Sequence, residues 1–179
     1  MLCAIDTETG GLSPLTCSML TLSIIPLTDK FDPDPNIPTL TLKTYNRNLN
    51  VEKPALEINK LWDFKTFPNY EDAGILFLKY LTENKIKTIE PLGHEIAFDL
   101  GFIEPFTGNL FREYFNTRIT RCTRRIAQFL KDCNLYNGKL NLTDLCSAFD
   151  VPLVNAHNSQ ADALASAQLY KTMISRFKN

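Results

Sequence analysis

Leu2, Ala4, Asp6 and Glu8 alternate with Cys3, Ile5 and Thr7 at the amino terminus. A strict period of two is the signature of a strand whose successive side chains point to opposite faces. Asp6 and Glu8 therefore project from one face. Gly10 and Gly11 follow at once and end the strand in a turn where glycine tolerates unusual dihedrals. A mostly apolar strand that closes on two acids has two readings. The acids are ordinary strand-end residues in a turn, or they belong to a charged site built where the strand stops.

The rest of the chain decides what such a strand joins. Met19 to Leu27 and Thr39 to Tyr45 read as second and third strands, separated by a loop dense in turn formers (Asp32 to Pro38). From Glu71 to Asn84 the positions of Ala73, Ile75, Leu76, Leu78, Tyr80 and Leu81 predict a helix largely covered by protein, and Ile86 to Gly93 predicts a fourth strand. Glu95 to Glu104 suits a short helix carrying Phe98 and Phe102 at i, i+4. Cys122, Ile126, Phe129, Leu130 and Cys133 form one amphipathic stripe, and Leu142, Leu145, Cys146 and Phe149 another. A last helix, from about Ser159 to Phe177, sets Ala161, Ala165, Leu169 and Met173 at four-residue spacing. Three strands followed by alternating helices and strands predict an α/β layered sheet of mixed direction. At 179 residues one domain spanning 1–179 is expected.

Composition narrows the class. No apolar run reaches bilayer length and the amino terminus has neither a basic leader nor an apolar core, so a soluble, cytoplasmic protein with no membrane partner is expected. Cys3, Cys17, Cys122, Cys133 and Cys146 are scattered, and only two histidines accompany them, which argues for reduced structural thiols over zinc. Arg112, Arg118, Arg121, Arg124, Arg125 and Lys131 face a single acid, Glu113, between residues 112 and 131, an asymmetry that suits a polyanion meeting one face or a solvated helix surface. The near-neutral total predicts modest, salt-sensitive nucleic-acid affinity, and hence a polymerase or other tether.

Three separated blocks carry the chemistry: Asp6 and Glu8 in AIDTETGGL, Asp99 in GHEIAFDLGF, and His157 with Asp162 in AHNSQADALASAQLY. Two carboxylates about 4 Å apart repel by roughly 4 kcal/mol at an effective dielectric near 20, so four brought together require protons or cations. Oxygen ligands without thiolates select Mg²⁺ or Mn²⁺. Two such ions about 3.5–4 Å apart suit in-line displacement at phosphorus. An imidazole five residues before a carboxylate in the first turn of a helix suits a general base near neutral pH, and the helix end should help hold Asp162 ionised.

At these blocks the sequence resembles the DEDDh 3′-to-5′ exonucleases, the DnaQ-like group that includes ribonuclease T, on a ribonuclease H-like fold. DTETGGL resembles the first motif, GHEIAFDLGF the second and AHNSQADALASAQLY the third, over Leu2 to about Tyr170. The resemblance implies a mixed sheet of about five strands flanked by helices, two Mg²⁺ (or Mn²⁺) on Asp6, Glu8, Asp99 and Asp162, and His157 as base. It implies a terminal nucleotide held against the turn of Thr9, Gly10, Gly11 and Leu12, with Leu12 as a wedge and Phe98 as a stacking wall. The implied activity is release of nucleoside 5′-monophosphates from 3′ ends of single-stranded DNA or RNA, with proofreading as one role. Glu95 stands where the family usually has asparagine, beside substrate, so it bears on preference. Cys122 stands before Thr123 where an aspartate is usual.

Each residue also has a plainer reading. Ser159-Gln160-Ala161-Asp162 forms a capping box of the kind that begins many helices. Asp99 suits a helix surface, His94 a structural position at a strand end, and Phe98 and Phe102 a core. A non-catalytic nucleic-acid-binding or scaffold module of the same fold is the alternative to an enzyme.

Overall fold

The alternating segment forms strand β1 (Leu2–Thr9), which runs through the middle of the sheet. In the computed structural model, which describes residues 1–176, β2 (Met19–Pro26) and β3 (Leu40–Lys43) add antiparallel on one side of it. On the other side β4 (Glu90–Gly93) and β5 (Arg121–Cys122) add in parallel, giving the order β3-β2-β1-β4-β5. This is the mixed α/β sheet expected from the sequence. Around it lie α1 (Lys53–Asn59), α2 (Tyr70–Glu83), α3 (Ile96–Thr107), α4 (Asn109–Tyr114), α5 (Thr123–Asp132), α6 (Leu142–Ala148) and α7 (Ser159–Ser175), with a 3₁₀ turn at Phe64–Thr66. Phe177, the expected end of the last helix, lies outside the described residues.

The two faces of β1 meet different layers. Cys3 and Ile5 pack with Phe77, Phe102 and Ile103 of α2 and α3, whereas Ala4 packs with Ala163 and Ala167 of α7. Small residues on α7 let the helix lie close to the sheet, so residues that continue the Ala4 face along β1, namely Asp6 and Glu8, arrive beside the amino-terminal turn of α7. β4 is paired with β1 only as far as Ala4. Beyond that point β1 runs on with one edge open, and α3 enters the gap.

Three expectations are corrected by packing. In α2 the buried residues are Ala73, Phe77, Tyr80 and Leu81, while Ile75, Leu76 and Leu78 are exposed, so the helix presents one face inward and is not largely covered. Phe77 fixes that choice because its ring is fully buried, at 6.2 Å from both Phe106 and Phe115 between ring centroids. Of the stripe expected along α5, Cys122 and Leu130 are buried, joined by Ala127, while Phe129 and, just past the helix end, Cys133 are exposed. The fourth strand begins at Glu90 rather than Ile86, because Ile86 and Ile89 turn into the core ahead of it. The segment from Lys53 to Asn59, unassigned from the sequence, is a short helix with proline in its first turn, where a missing N–H costs nothing. Among the described residues no helix is long and apolar enough to cross a membrane.

Candidate active site

Asp6 and Glu8 leave the open end of β1 on the α7 side, and Asp162 leaves the first turn of α7. One carboxylate oxygen of each lies within 4.8 Å of the others. Hydroxyl groups hold α7 in that position. Ser159, buried in its first turn, is hydrogen-bonded to Thr21 Oγ1 at 2.9 Å and Ser23 Oγ at 2.8 Å. Thr21 and Ser23 are the cross-strand partners of Glu8 and Asp6. The same β2 residues that flank the acids therefore anchor the helix that brings the third one.

This network corrects the capping expectation. Asn158 is the cap, its side chain accepting from the Ala161 N–H at 3.2 Å. Ser159, one residue on, is turned inward to the sheet. Asp162 Oδ2 instead accepts the backbone N–H of His157 at 3.1 Å, which pins a residue whose φ is +68°. Asp162 Oδ1 is buried and has no hydrogen-bond partner among the described residues. Buried acceptors are ordinarily satisfied, and this oxygen belongs to one of the three converging carboxylates, so the group has free capacity to bind a cation.

Asp99 comes from the opposite layer. It is buried on α3, and its Oδ1 accepts both the Thr7 N–H at 2.9 Å and the Thr7 hydroxyl at 2.8 Å. Because β4 stops short, that N–H has no ladder partner, and Asp99 supplies one. Asp99 lies outside the three-oxygen cluster but close enough to act on it electrostatically.

All four acids bind protons more tightly than usual. Burial, followed by repulsion from Asp99, Glu8 and Asp162, raises Asp6 well above the ordinary range. Burial and then Asp162 and Asp99 push Glu8 up to about 8. Asp99 is raised to about 7 by burial, against the hydrogen bonds from Thr7 that favour its charge. Asp162 is raised by burial despite the His157 N–H, so the expected help from the helix end is outweighed. Four such groups, three of them converging and one holding an orphan oxygen, form an oxygen donor set that suits a hard divalent cation.

Beside the acids opens a cleft of about 400 Å³ lined by Glu8, Thr9, Gly11, Leu12, Phe98 and His157, with α1 as its far wall. Leu12 is 84% exposed and free to meet a ligand. Phe98 is half-buried against Phe102, with ring centroids 5.0 Å apart. Gly10 is not in the lining. It is buried, its N–H bonds Ser18 O and its carbonyl accepts Glu52 N–H, and a Cβ would sit 2.8 Å from Asn50 O. Glycine there lets residues 50–52 approach and so hangs α1 over the cleft. Glu95 is also outside the lining; its carboxylate pairs with Arg124 at 3.0 Å.

The sequence reading missed the α1 wall: Pro54, Ala55, Ile58 and Asn59, with Glu52 just before the helix, line the cleft. Asn59 ties it to the acidic turn by donating from Nδ2 to Thr9 O at 3.1 Å. The one available signal was Pro54 near the start of an unassigned segment.

Known proteins share this arrangement at the level of fold. No protein-family model matches the chain. Ribonuclease T of Hahella chejuensis (strain KCTC 2396) is 26% identical over 191 residues, covering 97% of this chain and 83% of the relative. The chain is similar to the DnaQ-like 3′-to-5′ exonucleases. The zinc-bound complex of E. coli exonuclease I with single-stranded DNA superposes with a TM-score of 0.75 at 15% identity, over 98% of this chain but 40% of that one. The Mg²⁺- and Mn²⁺-bound form of S. pombe Pop2p does so at 0.70 and 14%, over 98% and 83%. The fold is thus ribonuclease H-like, and this chain spans well under half the length of the exonuclease I chains it matches. None of these relatives supports a polymerase partner.

Proposed function

We propose that the chain is a metal-dependent 3′-to-5′ exonuclease that hydrolyses the terminal phosphodiester of single-stranded DNA or RNA and releases nucleoside 5′-monophosphates. The observation that carries this reading is the meeting of Asp6, Glu8 and Asp162 oxygens within 4.8 Å, at the mouth of an apolar-walled cleft that also holds His157. The similarity to ribonuclease T supports it.

Asp6, Glu8 and Asp162 would hold two Mg²⁺ or Mn²⁺, with Asp99 completing the acidic site from the α3 side and fixing the end of β1 through Thr7. Bound there, the cations supply an activated water and neutralise charge on the phosphoryl oxygens. The protein's own groups do the rest. His157, on the exposed loop before α7, takes the proton of the attacking water as its oxygen bonds to phosphorus. The bond from phosphorus to the 3′ oxygen of the preceding nucleotide breaks, and that oxygen leaves as a hydroxyl on taking up a proton. The turn of Thr9 and Gly11 lies against the terminal nucleotide, with Leu12 beside the base and Phe98 as its stacking wall.

Incubation with a 3′-labelled oligonucleotide and Mg²⁺ should release mononucleotides and stop with chelator. Release that continues in chelator removes the metal assignment, and internal cuts in place of mononucleotides remove the exonuclease one.

A further inference from the structure

Trp62 is the only tryptophan in the chain and is 53% exposed, although the residues around it are anchored. Its chain neighbours Leu61, Phe64 and Phe67 pack with Leu20 and Leu56, and the Leu61 N–H bonds Asn59 Oδ1 at 3.1 Å. The segment that carries the indole is therefore anchored on both sides of it. Two independent links tie it to the active site. Along the chain, it lies three residues after Asn59 and four after Ile58, both of which line the cleft, with Asn59 bound to Thr9.

Across the sheet, Glu8 pairs with Thr21 and Thr21 with Lys43, so the three share the face on which the acids converge. Strand spacing puts Lys43 roughly 10 Å from Glu8, and its ammonium lies 3.9 Å from Asp63, the neighbour of Trp62. Lys43 also sits over the Phe67 ring at 4.6 Å, and Lys65 over Phe64 at 5.9 Å. Lys60 follows Asn59 directly and is held by the Glu57 carbonyl. The acids here are Asp63, paired with Lys43, Glu57, paired with Lys53 at 3.6 Å, and Glu52, which lines the cleft at the start of α1.

A half-exposed indole just past the α1 wall of the cleft, with Lys60 and Lys65 close by in the chain and Lys43 paired to its neighbour Asp63, matches the alternating stack-and-phosphate needs of a single strand. We propose that Trp62 is a stacking platform for an unpaired base upstream of the 3′-terminal nucleotide, with Lys43, Lys60 and Lys65 beside the flanking phosphates. This rests on the exonuclease reading of the cleft. It makes Trp62 a binding residue for strand length and not a catalytic one.

Because the chain has one tryptophan, its emission reports on this residue alone. A phosphorothioate-linked, single-stranded oligonucleotide of several nucleotides, which resists hydrolysis, should quench that emission in Mg²⁺ buffer. Thymidine 5′-monophosphate, filling only the cleft, should not. Trp62→Ala should weaken oligonucleotide binding by about 10-fold, as loss of one base stack does, while Trp62→Phe restores it. Turnover of the nitrophenyl ester of thymidine 5′-monophosphate should be unchanged in both variants, which also certifies their folding. Oligonucleotide that binds by anisotropy without quenching, or with equal affinity in Trp62→Ala, overturns the platform and leaves the exonuclease reading standing. Wild-type protein that neither binds the oligonucleotide nor cleaves the ester overturns both.

Discussion

The acidic end of β1 and the corner beside β4 are both built from polar residues in glycine-bearing blocks of the sequence, yet they are in opposite condition. At the corner, the His94 ring nitrogen Nδ1 meets Thr123 Oγ1 at 2.9 Å, Thr123 Oγ1 reaches Gly93 O at 3.4 Å, and Glu95 pairs with Arg124 at 3.0 Å. Every one of these groups has a partner. At the end of β1 three carboxylates face one another, all with raised proton affinity, and Asp162 keeps an oxygen with no partner among the described residues. Satisfied polarity joins elements together; unsatisfied polarity held rigid by its surroundings is poised for a ligand.

The largest effect should come from removing a carboxylate at the end of β1. Asp6→Ala or Asp162→Ala should lower kcat by roughly 10³-fold or more, the several kcal/mol of charge stabilisation that bound cations contribute, with the apo protein no less stable. Full activity in both variants, measured by mononucleotide release, would dissolve the contrast between the two regions. His157→Ala should cost about 10²–10⁴ in kcat, the usual contribution of a general base. Because only the ring is removed and the N–H to Asp162 stays, the rise in Tm caused by Mg²⁺ should persist. Loss of that rise would make His157 structural.

Stability against pH separates the regions by sign. Glu8 binds its proton with a pKa of about 8 in the folded chain against 4.5 ordinarily, so in chelator its repulsion is fully present above pH 8 and is relieved as pH falls toward 4.5. His94 behaves in reverse: burial, then Arg124, lower it from 6.5 to about 4, so its contribution is intact above pH 6.5 and is lost as pH falls through 4. Between pH 8 and 6.5 the carboxylates act alone, and Tm in chelator should rise as pH drops through that window. Saturating Mg²⁺ should flatten the rise. A Tm that falls there in chelator contradicts the raised proton affinity of the acids.

At the satisfied corner the effects should be smaller and confined to stability. Thr123→Val leaves the half-buried His94 without its partner and should cost about 1–3 kcal/mol in denaturant unfolding, with the Mg²⁺ response unchanged. Glu95→Gln breaks only a surface pair, worth about 0–1 kcal/mol, and should alter turnover little, since Arg124 holds that carboxylate outside the cleft lining. A large kcat change in Glu95→Gln would return it to the substrate.

Local pattern alone placed Asp6 and Glu8 on one face of a strand and Asp162 in the opening turn of a helix, because periods of two and of 3.6 follow from backbone geometry and need no distant contact. The mixed sheet followed from the order of those periods. What local pattern could not supply was which apolar side of a helix is buried, and Ile75, Leu76 and Leu78 were exposed in favour of Phe77 because only the facing layer of α3 and α4 settles that. Nor could it show that Ser159 would bond Thr21 and Ser23 rather than cap its helix, that Asp99 would reach Thr7 across a strand end left open, or that the seven-residue α1 would wall the cleft. Each of these joins residues far apart in the chain, and their positions are fixed only when the layers close and every buried donor has to find an acceptor.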